Sequence, residues 1–193
     1  MTLSGKARLA TTENIFVEKE LRMMRYEIMN TQSKIQNPKS KTSLSESLVV
    51  FTLDDNRFAL PLSPVERVVR MVEITPLPKA PEIVMGVINV EGRIIPVVNI
   101  RRRFRLPEGN CNLYNQIILA KTPRRTLGIM VDTVTGVAQY TDKDIVPADK
   151  ILPDIEYVKG VAKFKDGMAL IHDIDTFLSL EEEKILDNAM KEV

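Results

Sequence analysis

Apolar and polar positions fall into three regimes along the chain. Over residues 13–35, Val17, Leu21, Met24, Ile28 and Ile35 recur at alternating spacings of four and three, with Thr31 at the remaining heptad position. Glu18, Lys19, Glu20, Arg22, Arg25 and Glu27 populate the other faces. The pattern predicts a helix with a narrow apolar stripe. A helix of this length is marginal in water by itself, so it either finds a partner, in the folded body or in another chain, or stays a largely disordered extension. Residues 36–47 lose all periodicity, carry Pro38 and four serines, and read as a linker. Residues 1–47 therefore form an N-terminal extension.

From residue 48 the period becomes that of strands. Apolar and β-branched runs at 48–53 and 57–62 flank the turn formers Asp54, Asp55 and Asn56, which predicts a hairpin. Further strands are expected at 70–74, 86–90, 94–100, 115–121, 126–131, 158–164 and 168–173. Many short strands with turn signals indicate a barrel or sandwich rather than alternating strand-helix units. The last segment, 181–193, returns to helical spacing. Ser179 can cap it, Glu181, Glu182 and Glu183 suit its positive end, and Leu186, Ala189, Met190 and Val193 form one stripe, to be packed on the body or offered to a partner.

The body repeats itself. Residues 58–68 line up with 127–137, 83–87 with 157–161, and 90–100 with 164–174, the last pair with its glycine displaced by one. Each copy reads as a hairpin, a connector, then two strands about a glycine-bearing turn. A unit this small buries a thin core alone, so the two copies are expected to share one.

Composition removes most chemistry. The chain of 193 residues has 27 basic and 26 acidic side chains, one cysteine, one histidine and no tryptophan. No intrachain disulfide and no His/Cys zinc cluster can form, and acid-base schemes lack a second histidine. Near-neutral charge argues against a dedicated nucleic-acid binder. The run Arg101-Arg102-Arg103-Phe104-Arg105, with Arg93, Arg124 and Arg125 elsewhere, supports the alternative of a barrel that binds nucleic acid, rings stacking on bases and cations tracking phosphates. Read blandly, the same run is a solvated turn of helix. His172-Asp173-Ile174-Asp175 resembles a metal or acid-base constellation, but strand alternation puts His172 and Asp173 on opposite faces. A partly buried imidazole is expected there, with the carboxylates capping a helix near 176–178. Gly5-Lys6-Ala7 lacks the hydroxyl of a phosphate loop, and Cys111, in an exposed loop without a neighbouring base, reads as an incidental thiol. No metal or cofactor is implied. With no apolar run of membrane-span or signal-peptide length, the expected location is cytoplasmic, without direct membrane insertion.

One further pattern runs through the body: Phe58-Ala59-Leu60-Pro61 with Val65 and Val68, Ile74-Thr75-Pro76-Leu77-Pro78, Ala80-Pro81, Gly86-Val87-Ile88-Asn89, Gly92 before Ile94-Ile95-Pro96-Val97-Val98, Ile100-Arg101, Val131-Asp132 with Val134, Ile145-Val146-Pro147, Gly160-Val161 and Ile171-His172-Asp173-Ile174. In order and spacing this resembles the CheW-like coupling proteins of bacterial chemotaxis, over about residues 48–180. The resemblance implies a mainly β fold of two small SH3-like five-stranded barrels around a shared hydrophobic core, without a catalytic site or cofactor. It implies an adaptor that bridges the cytoplasmic tip of a chemoreceptor to a CheA-type histidine kinase through the kinase's own CheW-like domain. Barrel ends would meet the kinase and the inter-barrel groove a receptor helix, in membrane-associated receptor arrays. The N-terminal helix leaves room for self-association.

Three positions depart from that family's usual pattern. Arg67 stands where an acid is common, Glu91 where an arginine is common, and Asn99 where an aspartate is common. The first two changes are opposite in sign, as if one ion pair had been inverted. Either two solvated positions have drifted, or partner choice has been altered through charge. The partner-binding residues expected are Val65 for apolar contact, Arg67 and Glu91 for charge complementarity, Asn89 and Gly92 in the turn, and Arg101 as a structural or rim contributor.

Overall fold

The computed structural model describes residues 46–104, 106–109, 111–148 and 157–192. The expected helix at 13–35 and the linker through residue 45 lie outside the described residues, while Glu46 and Ser47 already belong to the first strand. The elements run β1 (Glu46–Leu53), β2 (Asn56–Pro61), β3 (Val65–Arg70), β4 (Val84–Val90), β5 (Arg93–Asn99), α1 (Ile100–Arg103), β6 (Gln116–Lys121), β7 (Thr126–Val131), β8 (Thr133–Tyr140), β9 (Ile145–Pro147), β10 (Val158–Phe164), β11 (Gly167–His172) and α2 (Leu180–Met190).

One sheet has the order β8-β1-β2-β11-β10-β9 and the other β3-β6-β7-β5-β4. The orders match strand for strand, including one parallel contact each, β2 with β11 and β7 with β5. Both close into barrels. After β3 the chain continues to Thr75, which bridges Val87 of β4 at the far edge. After β8 a single 3-10 turn, Asp142–Asp144, leads into β9, which pairs with β10 at the far edge of its own sheet. The sixth strand is thus the closing segment of a five-stranded barrel. Neither repeat unit makes a barrel alone. The first gives β1 and β2 to the barrel completed by β8–β11, called here the terminal barrel, and keeps β3, β4 and β5. The second gives β6 and β7 to the barrel of β3 to β7, called here the central barrel. Exchanging hairpins lets two halves too small to bury separate cores complete each other.

Strand alternation then builds three cores. Along β1, Leu48 and Val50 point into the terminal barrel while Val49, Phe51 and Leu53 point into the shared core. Along β6, Ile117 and Leu119 fill the central barrel while Ile118 and Ala120 join the shared core. Burial on both faces explains why these strands read as continuous apolar runs.

Three strands were not legible in this way, the shortest being β9, with three residues. The expected strand at 70–74 lies instead at Val65–Arg70, and β8 was not expected; both present mostly half-buried or exposed positions, so no apolar run marks them. The expected helix near 176–178 is absent. Helix α2 begins at Leu180 with Ser179 as its cap: the Ser179 hydroxyl accepts from Glu182 N, and the Glu182 carboxylate accepts from Ser179 N. Leu186 and Ala189 of α2 enter the shared core, and ion pairs from Glu182 to Arg103, Glu183 to Arg125 and Glu192 to Lys79 hold the helix down.

A candidate partner-binding face on the central barrel

The face begins at a bulge in β3. Val65 stands opposite Ala120 and Arg67 opposite Leu119 of β6, which leaves Glu66 as the extra residue. A bulge re-aims side chains that regular alternation would separate. Val65 packs against the shared core. Glu66 accepts from Arg93 Nη2 at 2.9 Å and from Thr126 Oγ1 at 3.0 Å, with Lys121 Nζ at 3.7 Å. Arg67 Nη1 donates to Glu91 Oε1 at 2.9 Å.

Glu91 reaches that position because of its turn. Val90 and Arg93 form the last pair of β4 and β5, and the two residues between them have φ of 54° (Glu91) and 84° (Gly92), which fits a type I′ hairpin. The Asn89 side-chain oxygen accepts from Gly92 N at 2.9 Å and fixes the loop. Nothing lies within 4 Å of where a Gly92 Cβ would be, so glycine serves the backbone conformation there and not a close approach. Hydrogen bonding from Arg67 holds Glu91 below its ordinary carboxylate range, and hydrogen bonding from Arg93 does the same for Glu66. Both acids remain charged at neutral pH. The face therefore carries two ion pairs of alternating sign, and the strands that bear them also expose Val68 and Ile94.

The structure thus brings Arg67, Glu91, Asn89 and Gly92 together, whereas Val65, two residues earlier on β3, is packed against the shared core. The spacing of the sequence did not reveal Glu66 and Arg93, because only the bulge tells which residues of β3 share a side. Arg101 belongs to a different cluster. Its side chain is 2% exposed, and its guanidinium donates to Asp54 at 2.7 and 3.0 Å and to Asp132 at 2.5 Å. Asn99 caps α1 by accepting from Arg101 N at 3.0 Å. Arg101 therefore ties the β1–β2 turn, the end of β7 and α1 into one node, and its placement suits the structural half of its expected role.

The remaining candidate chemistry finds structural work. The arginine run is no open cationic track: Arg101 is buried, Arg102 pairs with Glu108 and Arg103 with Glu182, while Arg105 lies outside the described residues. Arg124 and Arg125 face Asp187 of α2, and Arg93 faces Glu66. His172 is fully buried, not partly so, with its ring against Phe58 and Phe104, and burial pushes its pKa down to about 3. Asp173 accepts from Asp175 N rather than capping a helix. Among the described residues no group of three His, Cys, Asp or Glu is placed to hold a metal ion, and no helix is long and apolar enough to cross a membrane.

Known proteins share this architecture. The chain is 28% identical to the chemotaxis protein CheW of Rhizobium meliloti over 76% of this chain and 96% of the relative. It is 33% identical to CheW of Thermotoga maritima over 66% of this chain and 84% of the relative. The crystal structure of the scaffolding protein TtCheW from Thermoanaerobacter tengcongensis superposes with a TM-score of 0.64 at 28% identity, covering 72% of this chain and 96% of that one. The family model for the CheW-like domain matches residues 47–182. That span contains both barrels, the Arg101 node and the charged face, and the chain belongs to the CheW-like domain family, a family of non-enzymatic scaffolds of chemotaxis signalling.

Proposed function

We infer that this protein is an adaptor that couples the cytoplasmic tips of chemoreceptors to a CheA-type histidine kinase, at receptor arrays on the membrane. The charged face of the central barrel would then set which kinase it accepts. The Arg67–Glu91 ion pair supports this reading most directly. The two positions that depart from the usual pattern of the family with opposite signs lie 2.9 Å apart, as one pair of reversed polarity. With side chains 38% and 74% exposed, the pair adds little to folding, because solvent screens it. Its value to binding is larger, because like charges set against each other reject the wrong partner. Val68 and Ile94 on the same strands can supply the apolar contact that such an interface needs.

The test is a pull-down with native protein and with the Arg67→Glu plus Glu91→Arg variant, each against the cognate kinase and against a kinase whose usual partner has the common polarity. Native protein is expected to prefer the cognate kinase and the double variant to lose that preference, by about tenfold. Equal binding in all four combinations would contradict any role of the polarity in partner choice.

A further inference from the structure

The end of the central barrel that carries the charged face gathers strand termini. Glu66 is the second residue of β3, Lys121 ends β6, Thr126 begins β7, Arg93 begins β5, and Glu91 follows β4. As the extra residue of the β3 bulge, Glu66 is released from strand alternation and reaches three of these termini: Arg93 at 2.9 Å, Thr126 at 3.0 Å and Lys121 at 3.7 Å. Its side chain is 17% exposed, against 38% or more for Arg67, Glu91, Arg93 and Lys121. Glu66 is the sheltered centre of a cluster whose other charges are open to a partner.

Two pairings compete within this cluster. Glu91 and Arg93 flank Gly92 in one turn, and while the hydrogen bond from Arg67 does most to hold Glu91 in its charged form, the nearby charge of Arg93 adds to it. An Arg93 released from Glu66 can therefore take Glu91 for itself. Arg67 would then lose its anchor. A single hydrogen bond, from Nη1 to Glu91, holds its guanidinium, and its buried Nε has no hydrogen-bond partner among the described residues. Glu66 decides between the pairings, because it holds Arg93 by hydrogen bond and by charge.

We propose that Glu66 is a positioning residue for partner choice: by engaging Arg93 it reserves Glu91 for Arg67, and so fixes the reversed polarity that a partner meets. This rests on the reading of the charged face as the kinase contact. Glu66 itself is too sheltered for a partner to read, and it acts through its neighbours.

Glu66→Gln keeps the shape of the side chain and an acceptor for Thr126 but removes the charge. In the full-length protein, with circular dichroism and melting unchanged, the side-chain nitrogen signals of Arg67 in NMR should report faster guanidinium rotation than in native protein. Preference for the cognate kinase should fall roughly threefold to tenfold. Adding Arg93→Gln removes the competitor, and the double variant should regain the native Arg67 signals and a preference within about twofold of native. A merely structural Glu66 predicts the opposite, since a second lost charge would deepen the damage. Arg67 signals indifferent to Glu66→Gln, or a loss that Arg93→Gln does not restore, would overturn the proposal. So would a kinase preference that Arg67→Glu plus Glu91→Arg alters and Glu66→Gln does not. The Arg67 signals need no kinase and so separate the two claims. If they move and recover as stated while none of these variants alters kinase preference, the assignment of pairs holds and the reading of the face as the kinase contact falls.

Discussion

The His172 imidazole is fully buried against Phe58 and Phe104, with Nδ1 3.3 Å from the Tyr157 carbonyl oxygen. Burial lowers its pKa from 6.5 to about 3, so the unfolded chain takes up the proton first. The stability this gives is complete above the unfolded value and drains away as pH falls from 6.5 toward 3. Urea unfolding followed between about pH 6 and pH 4 should show native stability falling more steeply than that of His172→Phe, the difference approaching ~1.4 kcal/mol per pH unit. Parallel slopes would contradict the burial. The sequence placed His172 in a strand but could not tell half-buried from buried, since the rings around it come from β2 and the end of α1. Arg101 shows the same limit. Asp54 and Asp132 lie 47 and 31 positions away in the chain, and no local pattern announces that both close on one guanidinium. The Arg67–Glu91 pair was legible because its two departures were opposite in sign, a signal that needs no distance.

At the scale of elements, barrel closure depends on two equivalent glycines. A Cβ on Gly86 would lie 2.2 Å from the Thr75 carbonyl oxygen, and one on Gly160 2.5 Å from that of Val146. Both oxygens belong to the closing segments, so alanine at either site must push its barrel open. Gly160→Ala should lose about 2–3 kcal/mol of unfolding free energy in urea. Gly92→Ala, with nothing within 4 Å, should lose only ~1–2 kcal/mol, from its φ of 84° alone. The reverse order would contradict the closure. The strands buried on two faces were legible as apolar runs bounded by turn formers. The exposed, bulged strands β3 and β8 were not, nor was β9 with its three residues. The candidate face sits on one of these poorly marked strands, which is why its residues were found through their chemistry and not through their periodicity.

At the scale of the molecule, the repeat was visible in the sequence but its exchange was not. Pairing within one repeat and pairing between repeats satisfy the same local pattern, and only the shared core distinguishes them. The exchange makes the two barrels one folding unit, and α2 adds a strap from the last strand of the terminal barrel onto the β6–β7 turn of the central one. A rigid pair of barrels is a suitable body for an adaptor, because two surfaces kept at fixed separation can hold two partners in register. Both ion pairs of the charged face lie on the central barrel, leaving the rest of the surface for other contacts. If the protein couples receptor to kinase, the cognate kinase should co-sediment with receptor-bearing membranes only through it. The kinase is expected to pellet with the membranes when native protein is present and to stay in the supernatant without it. Kinase pelleting to the same extent with and without the protein would contradict it.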